Sequence, residues 1–190
     1  MQALTNIKTF RTIVDDNPQA LADVFPYLPE LEELSVTVKR SLDNVLSALA
    51  LGVPLNRRHL KRINITYIAG NHHWKGTVSL NTIRQLTSGL RASWAIQELR
   101  IRTVEDCLFA ESHLVKLVKS AKSIRSLEHL GIPCAVNDNG DLDRYLAPIC
   151  KTHLLSKMTE GEKKKFFIRL TLYPKTNSSS EEKTCFLRRH

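Results

Sequence analysis

A short pattern, apolar-x-x-apolar-x-apolar, returns five times along the 190-residue chain and constrains its fold more than any other feature. It reads Leu31-Glu-Glu-Leu34-Ser-Val36, Leu60-Lys-Arg-Ile63-Asn-Ile65, Ile96-Gln-Glu-Leu99-Arg-Ile101, Leu127-Glu-His-Leu130-Gly-Ile132 and Phe167-Ile-Arg-Leu170-Thr-Leu172. The central apolar residue falls at 34, 63, 99, 130 and 170, with spacings of 29, 36, 31 and 40. The last two apolar positions alternate with polar ones, as a short strand with one buried face requires. Periods in this range mark solenoids, so the repeat is read before any fold is chosen.

Between these strands the hydrophobic period changes from 2 to 3.6. Residues 41–52 set Leu42, Val45, Leu46 and Leu49 on one helical face, with Ser41 as N-cap, Gly52 at C′ and Pro54 barring continuation. Residues 79–90 repeat this with Leu80, Ile83, Leu86 and Leu90 behind Ser79, and residues 110–121 with Leu114, Leu117, Val118 and Ala121. Residues 141–158 predict a further helix behind Asp141, kinked or restarted at Pro148, and Asn17-Pro18 starts one carrying Leu21, Val24 and Phe25. Helix–strand alternation at ~30 residues means parallel strands joined by helical crossovers. An open doubly wound sheet buries both faces of each strand and asks for continuous Val/Ile runs. Here polar residues hold alternate positions (Glu33, Ser35, Thr37; Arg62, Asn64, Thr66; Arg100, Arg102), so one face must be wet, which favours a horseshoe.

The stretch from Phe25 to Val36, with the phase agreement of the five copies, resembles the leucine-rich-repeat family. The likeness is to the long repeats of ribonuclease-inhibitor-like, F-box-associated and NOD-like-receptor proteins, over roughly residues 17–174. It implies an α/β solenoid with parallel strands on the concave face and helices on the convex face. One domain of about five irregular repeats would span residues 1–174, followed by a polar tail at 175–190 in which Cys185-Phe-Leu187 is a short docking or capping piece. Residues 4–14 read as a capping helix or as the remnant of a preceding repeat. The family's Asn or Cys five residues after the central leucine is replaced by Lys39, Ile68, Val104, Ala135 and Lys175, so other groups must hold those turns. The resemblance further implies a non-enzymatic interaction module, an adaptor or recognition surface of the ubiquitin-ligase or innate-immune-receptor kind.

Charge narrows the partner. The formal net charge is +9, yet residues 1–36 carry two bases against six acids, so the rest is strongly basic. Such a split favours an acidic partner and salt-sensitive binding. On the outward positions of the strands, Arg62, Asn64, Arg100, Arg102, His129, Arg169 and Tyr173 are the candidate partner-binding residues, since Arg and Tyr are enriched in binding hot spots. Trp74, in the insertion Ala69–Val78 beside His72 and His73, is a further candidate contact. The alternative is a basic nucleic-acid-associated protein on the same scaffold, given Arg57-Arg-His-Leu-Lys-Arg62, Lys163-Lys-Lys165 and Arg188-Arg189. Only 6% of residues are aromatic and no nucleic-acid signature interleaves them with bases, so sequence-specific recognition is not indicated.

Other classes find no support. Neither a phosphate-cradling glycine loop nor a G-x-S-x-G or H-E-x-x-H motif is present, so no catalytic residue, metal ligand or cofactor is assigned. The acidic run at 137–143 lacks the glycine and the bidentate Glu of a calcium loop. No apolar run reaches the ~18 residues of a membrane span, and residues 1–16 show no signal peptide. Cys107, Cys134, Cys150 and Cys185 are widely spaced, which argues against a disulfide scaffold and makes an intracellular location, cytoplasmic or nuclear, the expectation.

Overall fold

The structure, a computed structural model, describes residues 4–68, 78–103, 109–133, 159, 161, 167–173 and 182–189. Its elements are β1 (Thr9–Val14), α1 (Gln19–Val24), β2 (Glu33–Val38), α2 (Leu42–Gly52), β3 (Arg62–Tyr67), α3 (Leu80–Ala92), β4 (Glu98–Thr103), α4 (Glu111–Ala121), β5 (His129–Pro133), β6 (Phe167–Tyr173) and β7 (Lys183–Arg188). They build an α/β fold around one seven-stranded open sheet whose strand order follows the chain order from β1 to β7. The first six strands are parallel and β7 is antiparallel to β6. A doubly wound sheet reverses direction at a switch point; the described strands show no such reversal. Consecutive helices are neighbours in space.

Register explains the repeat. Phe10, Leu34, Ile63, Leu99, Leu130 and Leu170 are successive partners across the six parallel strands. From Leu34 onward none of these residues has any relative exposure. Burying each side chain fully contributes ~1.5–3 kcal/mol. They join the helix residues Leu42, Val45, Leu46, Leu49, Ile83, Leu86, Leu90, Leu114, Leu117 and Val118 in one core.

The helices begin where side chains can take up orphan amides. Ser41 Oγ accepts from the Asn44 N–H at 3.2 Å, Ser79 Oγ from Thr82 at 3.1 Å, and Asn17 Oδ1 from Ala20 at 3.3 Å. Gly52, expected beyond the helix end, is instead the last residue of α2, with φ −78°. It is needed there for closeness, because a Cβ would lie 2.3 Å from the Phe25 ring.

Two ends differ from the sequence reading. Residues 9–14 form a strand, where one of the two sequence readings had a capping helix. The stretch expected to be a polar tail supplies β7, which puts Cys185 and Leu187 on the core side and covers the β6 edge that would otherwise expose unpaired amides. Beyond β7, Arg189 donates to the carbonyls of Ile124 (3.1 Å), Arg125 (3.0 Å) and Leu127, fastening the end to the turn before β5. Cys185 is disulfide-bonded, contrary to the expectation from cysteine spacing. No helix among the described residues is long and apolar enough to cross a membrane. The loop 69–77 with Trp74 and the helix expected over 141–158 lie outside the described residues.

The turns after β2 and after β3 begin with main-chain bonds to the preceding strand. The Lys39 N–H donates to the Val14 carbonyl (3.1 Å) and the Ile68 N–H to Val38 (2.9 Å). A second set of bonds precedes each strand. One carbonyl accepts two amides of the next coil: Lys8 from Glu32 and Glu33, Glu32 from Lys61 and Arg62, Lys61 from Gln97 and Glu98, and Gln97 from Glu128 and His129, all at 2.8–3.1 Å.

Replacing Gly52 by Ala tests the α2–Phe25 contact. Helix propensity alone favours Ala by ~1 kcal/mol, whereas overpacking costs ~1–3 kcal/mol. We expect net destabilisation in urea unfolding; a stabilised variant would contradict the close approach.

Candidate functional site

Side chains on the uncovered face of the sheet fall into rows set by the register. The first row runs Thr9, Glu33, Arg62, Glu98, His129, Arg169 and Phe186 across the strands. The second runs Arg11, Ser35, Asn64, Arg100, Gly131, Thr171 and Thr184. The third runs Ile13, Thr37, Thr66 and Arg102, with Pro133 beside Tyr173 further on.

Charge along the first row is partly paired. Arg62 Nη2 lies 2.9 Å from Glu33 Oε2, so its charge is already met by its neighbour on β2. Glu98 Oε1 lies between two basic groups, ion-paired with Arg100 Nε and hydrogen-bonded to His129 Nδ1 at 2.8 Å. Arg100 Nε is enclosed and off the line of a good hydrogen bond. The other ring nitrogen, His129 Nε2, lies 2.9 Å from Thr171 Oγ1, which is 3.5 Å from Thr184 Oγ1. With the Nδ1 proton directed at the carboxylate, neutral His129 accepts from the Thr171 hydroxyl at Nε2. A polar chain therefore crosses the sheet from β4 to β7. Its acid–imidazole–hydroxyl order is that of a proton relay, and its Thr171 member is 6% exposed.

Next to this chain an aromatic lies flat. A Cβ on Gly131 would come within 2.7 Å of the Tyr173 ring, so only glycine leaves β5 low enough for Tyr173 to cross it. The Arg102 guanidinium sits 4.4 Å from the centre of that ring, and its Nη2 is 3.9 Å from Glu182 Oε1. A cation over an aromatic face contributes ~0.5–2 kcal/mol and fixes the arginine's direction. Arg100, Arg102, His129, Arg169, Thr171, Tyr173, Glu182, Thr184 and Phe186 line one concavity of about 390 Å³. Arg169 is exposed and makes no ion pair with any described residue.

The structure thus brings together Arg100, Arg102, His129, Arg169 and Tyr173 from the expected set. Arg62 and Asn64 stand on β3, outside the concavity, and Trp74 lies outside the described residues. The wet outward row holds for β2 to β4 and fails beyond: Gly131, Pro133, Thr171 and Tyr173 are buried, because Tyr173 covers its neighbours and β7 closes the side. Glu182, Thr184 and Phe186 fall in the stretch that the sequence assigns to a polar tail; Thr184 and Phe186 are on β7 and Glu182 just precedes it. The alternation Thr184-Cys-Phe-Leu187 was the available signal. Among the described residues no three metal-ligating side chains come together.

Burial pushes the His129 imidazole below its ordinary value, Glu98 opposes this, and Arg100 and Arg169 add to it. The unfolded chain therefore takes up this proton at a higher pH than the folded one. The contribution is complete above the unfolded value of 6.5 and is lost as pH falls through the folded value. Urea unfolding should show the wild type losing more stability than His129→Gln between about pH 7.5 and about pH 5.5. Equal pH dependence in both proteins would refute this assignment. Comparison with family models, curated proteins and solved structures gives no match to this chain.

Proposed function

We propose that the chain is a non-enzymatic, leucine-rich-repeat-like interaction module, of adaptor or recognition type, that binds an acidic protein partner on the open face of its sheet. The carrying observation is that Arg100, Arg102, His129, Arg169 and Tyr173 converge on one concavity of that face. Sequential parallel strands with neighbouring helices support the horseshoe, since each coil adds one rung to a continuous surface. Arg and Tyr at the middle of such a surface are the residue types that carry binding energy. Arg62, matched by Glu33, tunes specificity and on-rate more than affinity.

A second reading, nucleic-acid association, draws on a different place. The Arg57 guanidinium lies 4.7 Å from the ring centre of Trp94, which is 63% exposed. Lys61 and Arg125 line the same hollow as Trp94. A stacking surface among bases suits single strands.

Affinity capture with and without nuclease, at low and high salt, separates the two readings. The protein-partner reading predicts nuclease-resistant capture, weakened by salt, and a loss of ~1–3 kcal/mol in Arg100→Ala/Arg102→Ala. Unchanged partner affinity in that double variant would overturn it, and so would capture that nuclease abolishes.

A further inference from the structure

We infer that the concavity between β4 and β7 is a docking site for a phosphate monoester carried on a peptide, so that the partner of the open face is recognised through a phosphorylated side chain. This rests on the reading of the open face as an interaction surface and names the group it selects.

Positive charge in the hollow exceeds the negative charge beside it: three arginines face Glu98 and Glu182. Arg100 on β4 and Arg169 on β6 flank His129 on β5, and both guanidiniums act electrostatically on its ring. Among the described residues Glu98 is the acid that pairs there, and its Oε1 is shared by Arg100 and His129. Arg169 has no ion pair among the described residues. Arg102 is aimed by Tyr173, and its contact with Glu182 is a loose 3.9 Å between two exposed side chains. Like charges gathered in a hollow repel one another until an anion enters.

The donors select the anion. A carboxylate offers two oxygens and is satisfied by one guanidinium in a bidentate pair. Here three guanidiniums and the Thr184 hydroxyl line one space, with the imidazole beside them. Donors arriving from three strands, β4, β6 and β7, suit a tetrahedral dianion with acceptor oxygens on several sides. The hollow is open to the polar sheet face, whereas small-molecule sites enclose most of their ligand. An extended chain lying across the rows, with its phosphate directed inward beside Phe186, fits that shape.

His129 gives the site a pH signature. An anion beside the ring favours imidazolium, whose Nε2 then donates, so Thr171 must turn and accept. The charged or titratable groups facing the ring are Glu98, Arg100 and Arg169; Arg102 and Glu182 complete the charged lining of the hollow.

Sulfate is the first probe, because it stays a dianion throughout the range and any pH dependence belongs to the protein. By NMR titration of the full chain, sulfate should bind about threefold or more tightly at about pH 5.5 than at about pH 7.5. Arg169→Gln and Arg100→Gln should each weaken it about tenfold. His129→Gln should retain binding at the higher pH and lose the pH dependence. The second probe is acetyl-Gly-phosphoserine-Gly-amide, expected to bind more tightly than inorganic phosphate, with no binding of its serine counterpart. Absent sulfate binding, or equal binding by the arginine variants with their folded spectra intact, overturns the site. Phosphopeptide binding no tighter than inorganic phosphate overturns the peptide carrier. A polyglutamate peptide that binds when both probes fail would leave the open-face reading standing and remove this inference alone.

Discussion

One carbonyl per coil, placed just before the strand, governs this molecule. Lys8, Glu32, Lys61 and Gln97 each present an oxygen to two successive amides of the next coil, and the Glu128 carbonyl takes the Arg169 amide. These bonds set where each strand starts against its predecessor. Side chains alternate with a period of two, so a slip of one residue would carry Leu34, Ile63, Leu99, Leu130 and Leu170 to the uncovered face. The register, the core and the polar rows are one constraint seen three times. Main chain supplies these bonds, and just past β2 and β3 the amides of Lys39 and Ile68 likewise find carbonyls of the preceding strand.

From that constraint the face acquires its charge pattern. Residues 29 to 31 apart in sequence become touching neighbours, so Glu33 meets Arg62 and Glu98 meets His129. Pairing uses up much of the charge near the N-terminal strands, where the acids are. Towards β6 the acids thin out while arginines continue, and the surplus collects where Gly131 lets Tyr173 lie flat. Surface pairs of the Glu33–Arg62 kind contribute only ~0.2–1 kcal/mol to stability. Their consequence is spatial: Arg62 is matched on β3, whereas Arg169 on β6 has no ion pair among the described residues.

Much of this is legible before any coordinates. The five central apolar residues occupy one rung, and Ser41 and Ser79 cap the helices they precede. β1 is harder to see because Thr12 stands where its equivalents are Val36 and Ile65, which breaks the apolar signature while the strand still pairs. β7 escapes the repeat template because an antiparallel strand needs no helical crossover. The outward set can be written from alternation alone. Which of its members remain unpaired depends on side chains leaning across strands, as His129 leans from its partner Arg169 towards Thr171. Gly52 shows the same limit: its position near a helix end is readable, but the Phe25 ring that excludes any larger residue is a tertiary fact.

Inter-strand NOEs in a uniformly labelled sample test the central claim most directly. The account predicts parallel-type amide and α-proton contacts linking residues 34 with 63, 63 with 99 and 99 with 130 in one unbroken row, with the flanking residues in step. Antiparallel contacts among these strands, or a register displaced by one residue, would contradict it.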